Sequence, residues 1–525
     1  MRDNNAAYRG YKKTMRRLLP AVLSGLLLTA AFPRWNFAAA AWVALVPLLY
    51  SLRNVSSWKS FGPGFAAGLV HYLTLGYWLM PTLKNYGGLP LPAALIFSLL
   101  LAAYLAIYIG VFSMIVTGIR SGPAITLLTA PAAWVTLEYI RTFLFTGFPW
   151  ELLGYSQYQQ LSLIQLADLT GVYGLSFVIV LVNTALFLAG LALLQKKWQE
   201  VRVKKRPALA AVLGALILVA VVWGYGQWRL SRVGQDMSRA EHHRLAVIQG
   251  NIDQSLKWDE EFRLDSVRKY LDLAARPEAR RADLVVMPET AMPFYFNYDK
   301  NLAAMVSRFA RDQEIHLLTG APTVFSQGND YELYNSAYLI APTGEVTGRY
   351  DKSHLVPFGE YVPLGKWLPL IDRLVVAVGD FEPGDPGRVL NLDNRRLGIQ
   401  ICYEIIFPGG CRQLVAGGAD IIINITNDAW YGRTGAPYQH FSMTVLRAVE
   451  NRRAVVRAAN TGISGWVDPR GRIRDATSIF VESVRSYQVP EGRGQTVYGR
   501  LGDLFAKFCV IATLFVLWRK YRINR

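Results

Sequence analysis

Cysteine is scarce in this chain: 525 residues contain three, Cys402, Cys411 and Cys509. No two of them form a C-x-x-C pair, which excludes a disulfide scaffold, a zinc ribbon and a dithiol redox motif. The six histidines (His71, His242, His243, His316, His354 and His440) show no ligand spacing, and H-E-x-x-H is absent, so no metal is expected. G-x-S-x-G and G-x-G-x-x-G are missing too. The segment GEYVPLGKW (359–367) fails as a phosphate loop, because five residues separate its glycines and Trp367 stands where Ser or Thr belongs. No cofactor is expected. Charge is also thin, at 18% of residues against about 25% in soluble chains. With 52% hydrophobic residues and mean hydropathy +0.20, the chain is too apolar for an ordinary globular protein or for disorder. Yet 38 acids and 56 bases are too many for a chain made only of membrane spans. Two environments are implied, and the length allows about three structural units.

The apolar residues fall into runs at 18–32, 37–52, 62–80, 91–117, 123–145, 165–194 and 208–228, with one more at 501–518. Each is measured against the ~20 residues that cross a bilayer. The basic start and short first run imitate a signal peptide, but further runs follow at once, so a retained helix is expected. With the N-terminus inside, the inner segments hold 19 Lys and Arg and the short outer connections three. The positive-inside rule then puts both termini in the cytoplasm and residues 229–500 outside. Those inner segments carry two acids, Asp3 and Glu200, and so supply +17 of the net charge of +18. The basic balance is therefore a topology signal, and a nucleic-acid partner is not expected. One ionisable pair, Glu138 and Arg141, stands inside a run, either as a functional pair or as a local ion pair with Arg141 snorkelling.

The expected organisation is a membrane domain over 1–228 with about seven helices, an outer domain over 229–500, and a final helix and tail over 501–525. Residues 229–244 read as a linker. Beyond it, LAVIQGN (245–251), LVVMPET (284–290), HLLTGAPT (316–323), RRLGIQICYEI (395–405), DIIINITND (420–428) and AVVRAANTG (454–462) read as strands, and SAYLIAPTGEVTGRY (336–350) as a hairpin. Helical periods cover 261–275, 299–312 and 437–450. Such alternation predicts a sheet covered by helices.

Polar residues end several of these strands: Glu289 in MPET, and Cys402 and Glu404 flanking Tyr403 in ICYEI. Lys352 and Glu360 lie in YDKSHLVPFGEYVP (350–363). Strand ends of one sheet gather along one edge, where open α/β sheets hold their sites. A thiol without a histidine partner needs another base and a cation to become a nucleophile. Glu289 can take its proton, and Lys352 can stabilise the thiolate and a following oxyanion. Singly, a buried cysteine is inert core, a strand-end Glu is solvated and a loop Lys is surface; the combination is what points to catalysis.

MPET, DKSHLVPFGEYVP and ICYEIIFP resemble the three signature segments of the nitrilase, or carbon–nitrogen hydrolase, superfamily. That resemblance implies an αββα sandwich with Glu289 as general base, Lys352 as oxyanion stabiliser and Cys402 as nucleophile. An outer domain of this kind among about eight spans is similar to the apolipoprotein N-acyltransferase branch, as are FPWELLGYSQ (148–157), QGNIDQSLKW (249–258) and NITNDAWYG (424–432). The resemblance further marks Glu360, Tyr403, Glu404 and Trp258 as supporting residues, with Glu360 either orienting Lys352 or serving as a second base. It implies a monomer in the bacterial inner membrane. The partners it implies are a membrane phospholipid as acyl donor and diacylglyceryl apolipoproteins as acceptors. Two rivals share parts of the pattern: a membrane-tethered amidase or nitrilase, and a catalytically dead transporter or scaffold. Cys411 is expected to be a buried small residue at the start of a helix, with an inhibitory disulfide to Cys402 as the alternative.

Overall fold

The computed structural model describes residues 2–119, 122–254, 260–327, 330–361 and 380–523. The chain forms two compact units: Met1–Met80, Pro92–Trp228 and Asp503–Arg525 in one, Pro81–Leu91 and Arg229–Gly502 in the other.

The first unit is helical, and each of the eight apolar runs lies on helical segments. Among the described residues, three helices are long and apolar enough to cross a membrane by length and composition: Leu91–Gly118, Val172–Leu193 and Lys205–Arg239. Arg17–Ala30, Ala38–Ser51 and Leu161–Thr170 are apolar but shorter. The expected linker is partly helix, since Lys205–Arg239 runs through 229–239 without a proline to stop it. Glu138 and Arg141 are buried, so Arg141 does not snorkel. Glu138 accepts from the Trp134 indole at 2.9 Å and from the Leu153 amide at 2.7 Å. Arg141 donates to the Tyr72 hydroxyl and, at 3.5 Å, to the Trp150 carbonyl. Both side chains thus tie the segment 148–157 to the helix Pro123–Arg141.

Among its described residues the second unit has twelve strands: β1 His242–Gln249, β2 Leu284–Val286, β3 Leu317–Gln327, β4 Asp330–Ile340, β5 Val346–Asp351, β6 Val389–Leu392, β7 Arg395–Ile401, β8 Ile421–Thr426, β9 Ala454–Ala459, β10 Gly465–Val467, β11 Ile473–Arg474 and β12 Ser483–Pro490. They form two six-stranded sheets, ordered β12-β1-β2-β3-β4-β5 and β11-β10-β9-β8-β7-β6. The centres are parallel, β1-β2-β3 in one and β7-β8-β9 in the other. Central parallel strands are covered on both faces, which is why IIINIT in β8 reads as one continuous buried run.

Alternate residues face opposite ways, and this divides the core. Leu245, Val247, Leu284 and Val286 of one sheet pack with Leu397, Ile399, Ile421, Ile423 and Val456 of the other, filling the space between the sheets. Ala246, Ile248 and Val285 point the other way, against Val267 and Tyr270 of the helix Glu260–Ala274 and Val306 and Ala310 of Lys300–Asp312. Helices Pro408–Ala416 and Ala436–Asn451 contact β7 and β9 of the second sheet. The layers run helix, sheet, sheet, helix, the αββα arrangement expected.

Candidate active site

Three loops leave the carboxyl ends of strands in the two sheets and place the candidate residues. After β2 the chain passes Met287, whose amide donates to the Leu318 carbonyl at 2.8 Å, and turns through Glu289 and Thr290. Thr290 is left-handed, with φ +50°. Gly320 of β3 makes room for this turn: a Cβ there would stand 2.7 Å from the Glu289 Cα. Lys352 directly follows β5 and is tied to β4 by its amide, which donates to the Asn335 carbonyl at 2.8 Å.

At Cys402 the sequence reading needs correction. Cys402 and Glu404 do not continue the strand alternation, since β7 ends at Ile401 and a 3-10 turn occupies Cys402–Ile406. Cys402 itself is left-handed, φ +53°, a conformation that costs a non-glycine residue about 1–3 kcal/mol unless neighbours enforce it. Glu404 is the enforcer on one side. Its buried carboxylate accepts from the Ile401 amide at 2.6 Å, and reaches across to the Ser353 amide at 2.7 Å, the Ser353 hydroxyl at 2.8 Å and the Tyr350 hydroxyl at 2.9 Å. It therefore bolts the lysine loop to the cysteine loop. Tyr403 packs edge-on against Phe407, ring centres 5.2 Å apart.

Glu289, Lys352 and Cys402 come together, all buried. Lys352 Nζ stands 3.9 Å from Glu289 and 2.8 Å from Glu360. Asn335, not singled out in the sequence, spends both amide protons on these acids: Nδ2 lies 2.8 Å from Glu289 and 2.8 Å from Glu360. The second Glu289 oxygen accepts from the Asn427 amide at 2.9 Å. Burial depresses the Lys352 ammonium, but Glu360, Glu289 and Cys402 more than offset it and hold its pKa well above the usual lysine value. Burial, then the charge of Glu289, pushes the Cys402 thiol far above its ordinary range, with Lys352 opposing. At neutral pH the lysine is charged and the thiol holds its proton. A buried thiol, a carboxylate to receive its proton and a fixed cation suit nucleophilic attack on a carbonyl.

Trp258 lies outside the described residues. Cys411 is a free, buried cysteine in the helix Pro408–Ala416, its thiol directed at Gln400 Oε1 at 3.7 Å. Among the described residues one group could share an ion, Glu241, His243 and Glu491, with donor atoms within 4.8 Å of one another. It sits at the start of β1, the end away from Gln249, and His243 is already paired with Glu491 at 2.7 Å. Sequence reasoning also missed the set beneath Cys402, Asn424, Asp428, His440 and Arg457, whose members come from β8, the turn after it, a helix and β9.

Residues 24–185 match the apolipoprotein N-acyltransferase N-terminal domain, and residues 244–497 match the carbon-nitrogen hydrolase family. An apolipoprotein N-acyltransferase of Geobacter metallireducens is 42% identical over 97% of this chain and 96% of its own. One from Methylococcus capsulatus is 33% identical, covering 93% of each chain. An amidase from Nesterenkonia sp. of known structure is 22% identical over 51% of this chain and 97% of its own, with TM-score 0.39. On the full-length similarity to those curated relatives, the chain belongs to the apolipoprotein N-acyltransferase family.

Proposed function

We propose that this chain moves an acyl chain from a membrane phospholipid, through a thioester on Cys402, to the α-amino group of a lipid-modified N-terminal cysteine on an apolipoprotein. One observation carries the reading: a buried thiol, carboxylate and ammonium share the unit that matches carbon–nitrogen hydrolases, in a chain whose helical unit matches the N-acyltransferase domain.

In the first half, Cys402 Sγ attacks the ester carbonyl while Glu289 takes the thiol proton. Burial raises the thiol pKa, so little free thiolate exists at rest and the base must remove the proton within the reaction. Lys352 Nζ and the Tyr403 backbone N–H stabilise the oxyanion. Collapse breaks the ester C–O bond, Glu289 returns the proton to the leaving hydroxyl, and a lysophospholipid departs. In the second half, the neutral amine attacks the thioester, Glu289 accepts a proton from it, and as the C–S bond breaks Glu289 passes that proton to the departing sulfur and restores the Cys402 thiol. Glu360 keeps Lys352 charged and in place through its 2.8 Å pair. A dry thioester favours an amine acceptor over water, and two substrates held in one membrane plane meet more often.

The topology belongs to the same proposal: about eight spans, both termini cytoplasmic, and residues 229–500 on the outer side of the inner membrane. The 19-to-3 bias of Lys and Arg between inner and outer connections supports it.

The test is product analysis. Purified enzyme in detergent with phospholipid and a diacylglyceryl lipopeptide bearing a free amine should yield the N-acylated lipopeptide and one lysophospholipid per turnover, and Cys402→Ala should yield neither. Hydrolysis of small amides with no transfer to the lipopeptide would replace this reading with the amidase one.

A further inference from the structure

The carbonyl of Cys402 is held from beneath by side chains that take no part in the reaction above. His440, from the helix Ala436–Asn451, places Nε2 at 3.1 Å from that carbonyl oxygen. Asn424 of β8 reaches the same oxygen with Nδ2 at 3.4 Å, and the Gln400 carbonyl at 3.0 Å. A carbonyl only accepts, so the imidazole must carry its proton on Nε2. The other ring nitrogen faces Arg457 Nη2 at 2.9 Å and Asp428 Oδ1 at 3.0 Å. Arg457 is paired with Asp428 at 2.8 Å and also donates to Asn424 Oδ1. As a fixed donor beside Nδ1, the guanidinium favours the neutral Nε2–H tautomer. All four side chains are fully buried. Burial and the charge of Arg457 lower the His440 pKa, against the pull of Asp428, which agrees with a neutral ring.

A peptide unit is planar and trans, so its N–H points opposite to its C=O. Fixing the Cys402 carbonyl on the His440 side therefore fixes the Tyr403 N–H in the opposite direction. Donors on the carbonyl also polarise the peptide and strengthen its N–H as a donor. We propose that His440, oriented by Arg457 and Asp428 and seconded by Asn424, is a positioning residue that sets the plane of the Cys402–Tyr403 peptide and so builds the backbone half of the oxyanion hole. This rests on the thioester mechanism proposed above.

The discriminating measurement compares two reactions of the same thiol. Acylation by phospholipid passes through an oxyanion; alkylation by iodoacetamide displaces iodide and forms none. His440→Leu should acylate Cys402 about 10²-fold more slowly, with kcat reduced and KM for phospholipid unchanged, while the alkylation rate stays within about twofold of wild type. His440→Gln, which can present an amide N–H near the Nε2 position, should recover most of the acylation rate. Asn424→Ala, which removes only the longer second bond, should show a smaller loss of the same kind and serves if His440→Leu does not fold. Equal falls in alkylation and acylation would make His440 a packing residue, and unchanged acylation in both His440→Leu and Asn424→Ala would remove the role; either overturns the inference alone. If wild-type enzyme alkylates at Cys402 but never acylates there, the thioester reading fails and takes this inference with it.

Discussion

Lys352 and Glu360 form a buried ion pair in which Nζ lies 2.8 Å from one carboxylate oxygen and 2.9 Å from the other. Glu289, at 3.9 Å, is the more distant acid. In the proposed mechanism the two carboxylates have different work: Glu360 neutralises the cation, and Glu289 stays available for the thiol proton.

Removing the closer acid should disturb that division. Glu360→Gln leaves Glu289 as the acid paired with Lys352 and draws it away from the thiol. Acyl-enzyme formation should fall at least about tenfold. Because a buried pair is broken, the protein should also lose about 3–5 kcal/mol of stability. Rates of adduct formation and thermal unfolding in detergent check the two parts.

Lys352 and Glu289 should fail differently. Lys352→Met removes a donor from the oxyanion and should cost about 10²–10³ in acylation rate. Glu289→Gln should keep phospholipid binding while disabling proton transfer, so binding persists without turnover. Near-normal turnover in either variant would contradict the role given to that residue.

The thiol sets a pH dependence. An acid whose pKa is raised stays protonated when an ordinary cysteine, near ~8.5, has ionised. Thiolate then grows about tenfold per pH unit up to the raised value. Iodoacetamide alkylation of Cys402 should therefore keep accelerating through pH 9–10. A plateau below pH 8.5 would show an activated resting thiolate instead.

Topology is open to chemical labelling. Ser238 is exposed near the end of the helix Lys205–Arg239, and all three native cysteines are buried. Ser238→Cys should react with an impermeant thiol reagent on intact spheroplasts. Labelling only after membrane disruption would reverse the side assigned to residues 229–500.

Much of the site was legible because its residues sit where strands of strong pattern end. LVVMPET and RRLGIQICYEI announce their strands, and a carboxylate or thiol just beyond such a run is conspicuous. The hairpin around Pro342, Thr343 and Gly344 was equally plain, and β4 and β5 pair as it requires. What escaped depends on contacts distant in sequence. Asn335 meets Glu289 across 46 residues, and His440 meets Cys402 across 38. A single histidine in a helix of mixed polarity carries no spacing signal, so its partners appear only when β8, β9 and the helix pack. The turn at Cys402 was hidden for another reason: C-Y-E-I-I continues the polar–apolar pattern of a strand, and the strand ends at the left-handed Cys402, with Glu404 bonding back to the Ile401 amide. β12 was missed because SVRSYQVP mixes polar and apolar residues weakly, as an edge strand beside β1 can.

The central claim is the acyl-enzyme on Cys402, and one measurement addresses it most directly. Enzyme incubated with acyl-labelled phospholipid alone should accumulate label on Cys402, detected by mass spectrometry of the peptide and released by neutral hydroxylamine. The label should be absent from Cys402→Ala and should pass to a lipopeptide with a free α-amine on addition. No adduct on Cys402 in folded enzyme with lipid present, or discharge to water as fast as to the amine, would contradict the account.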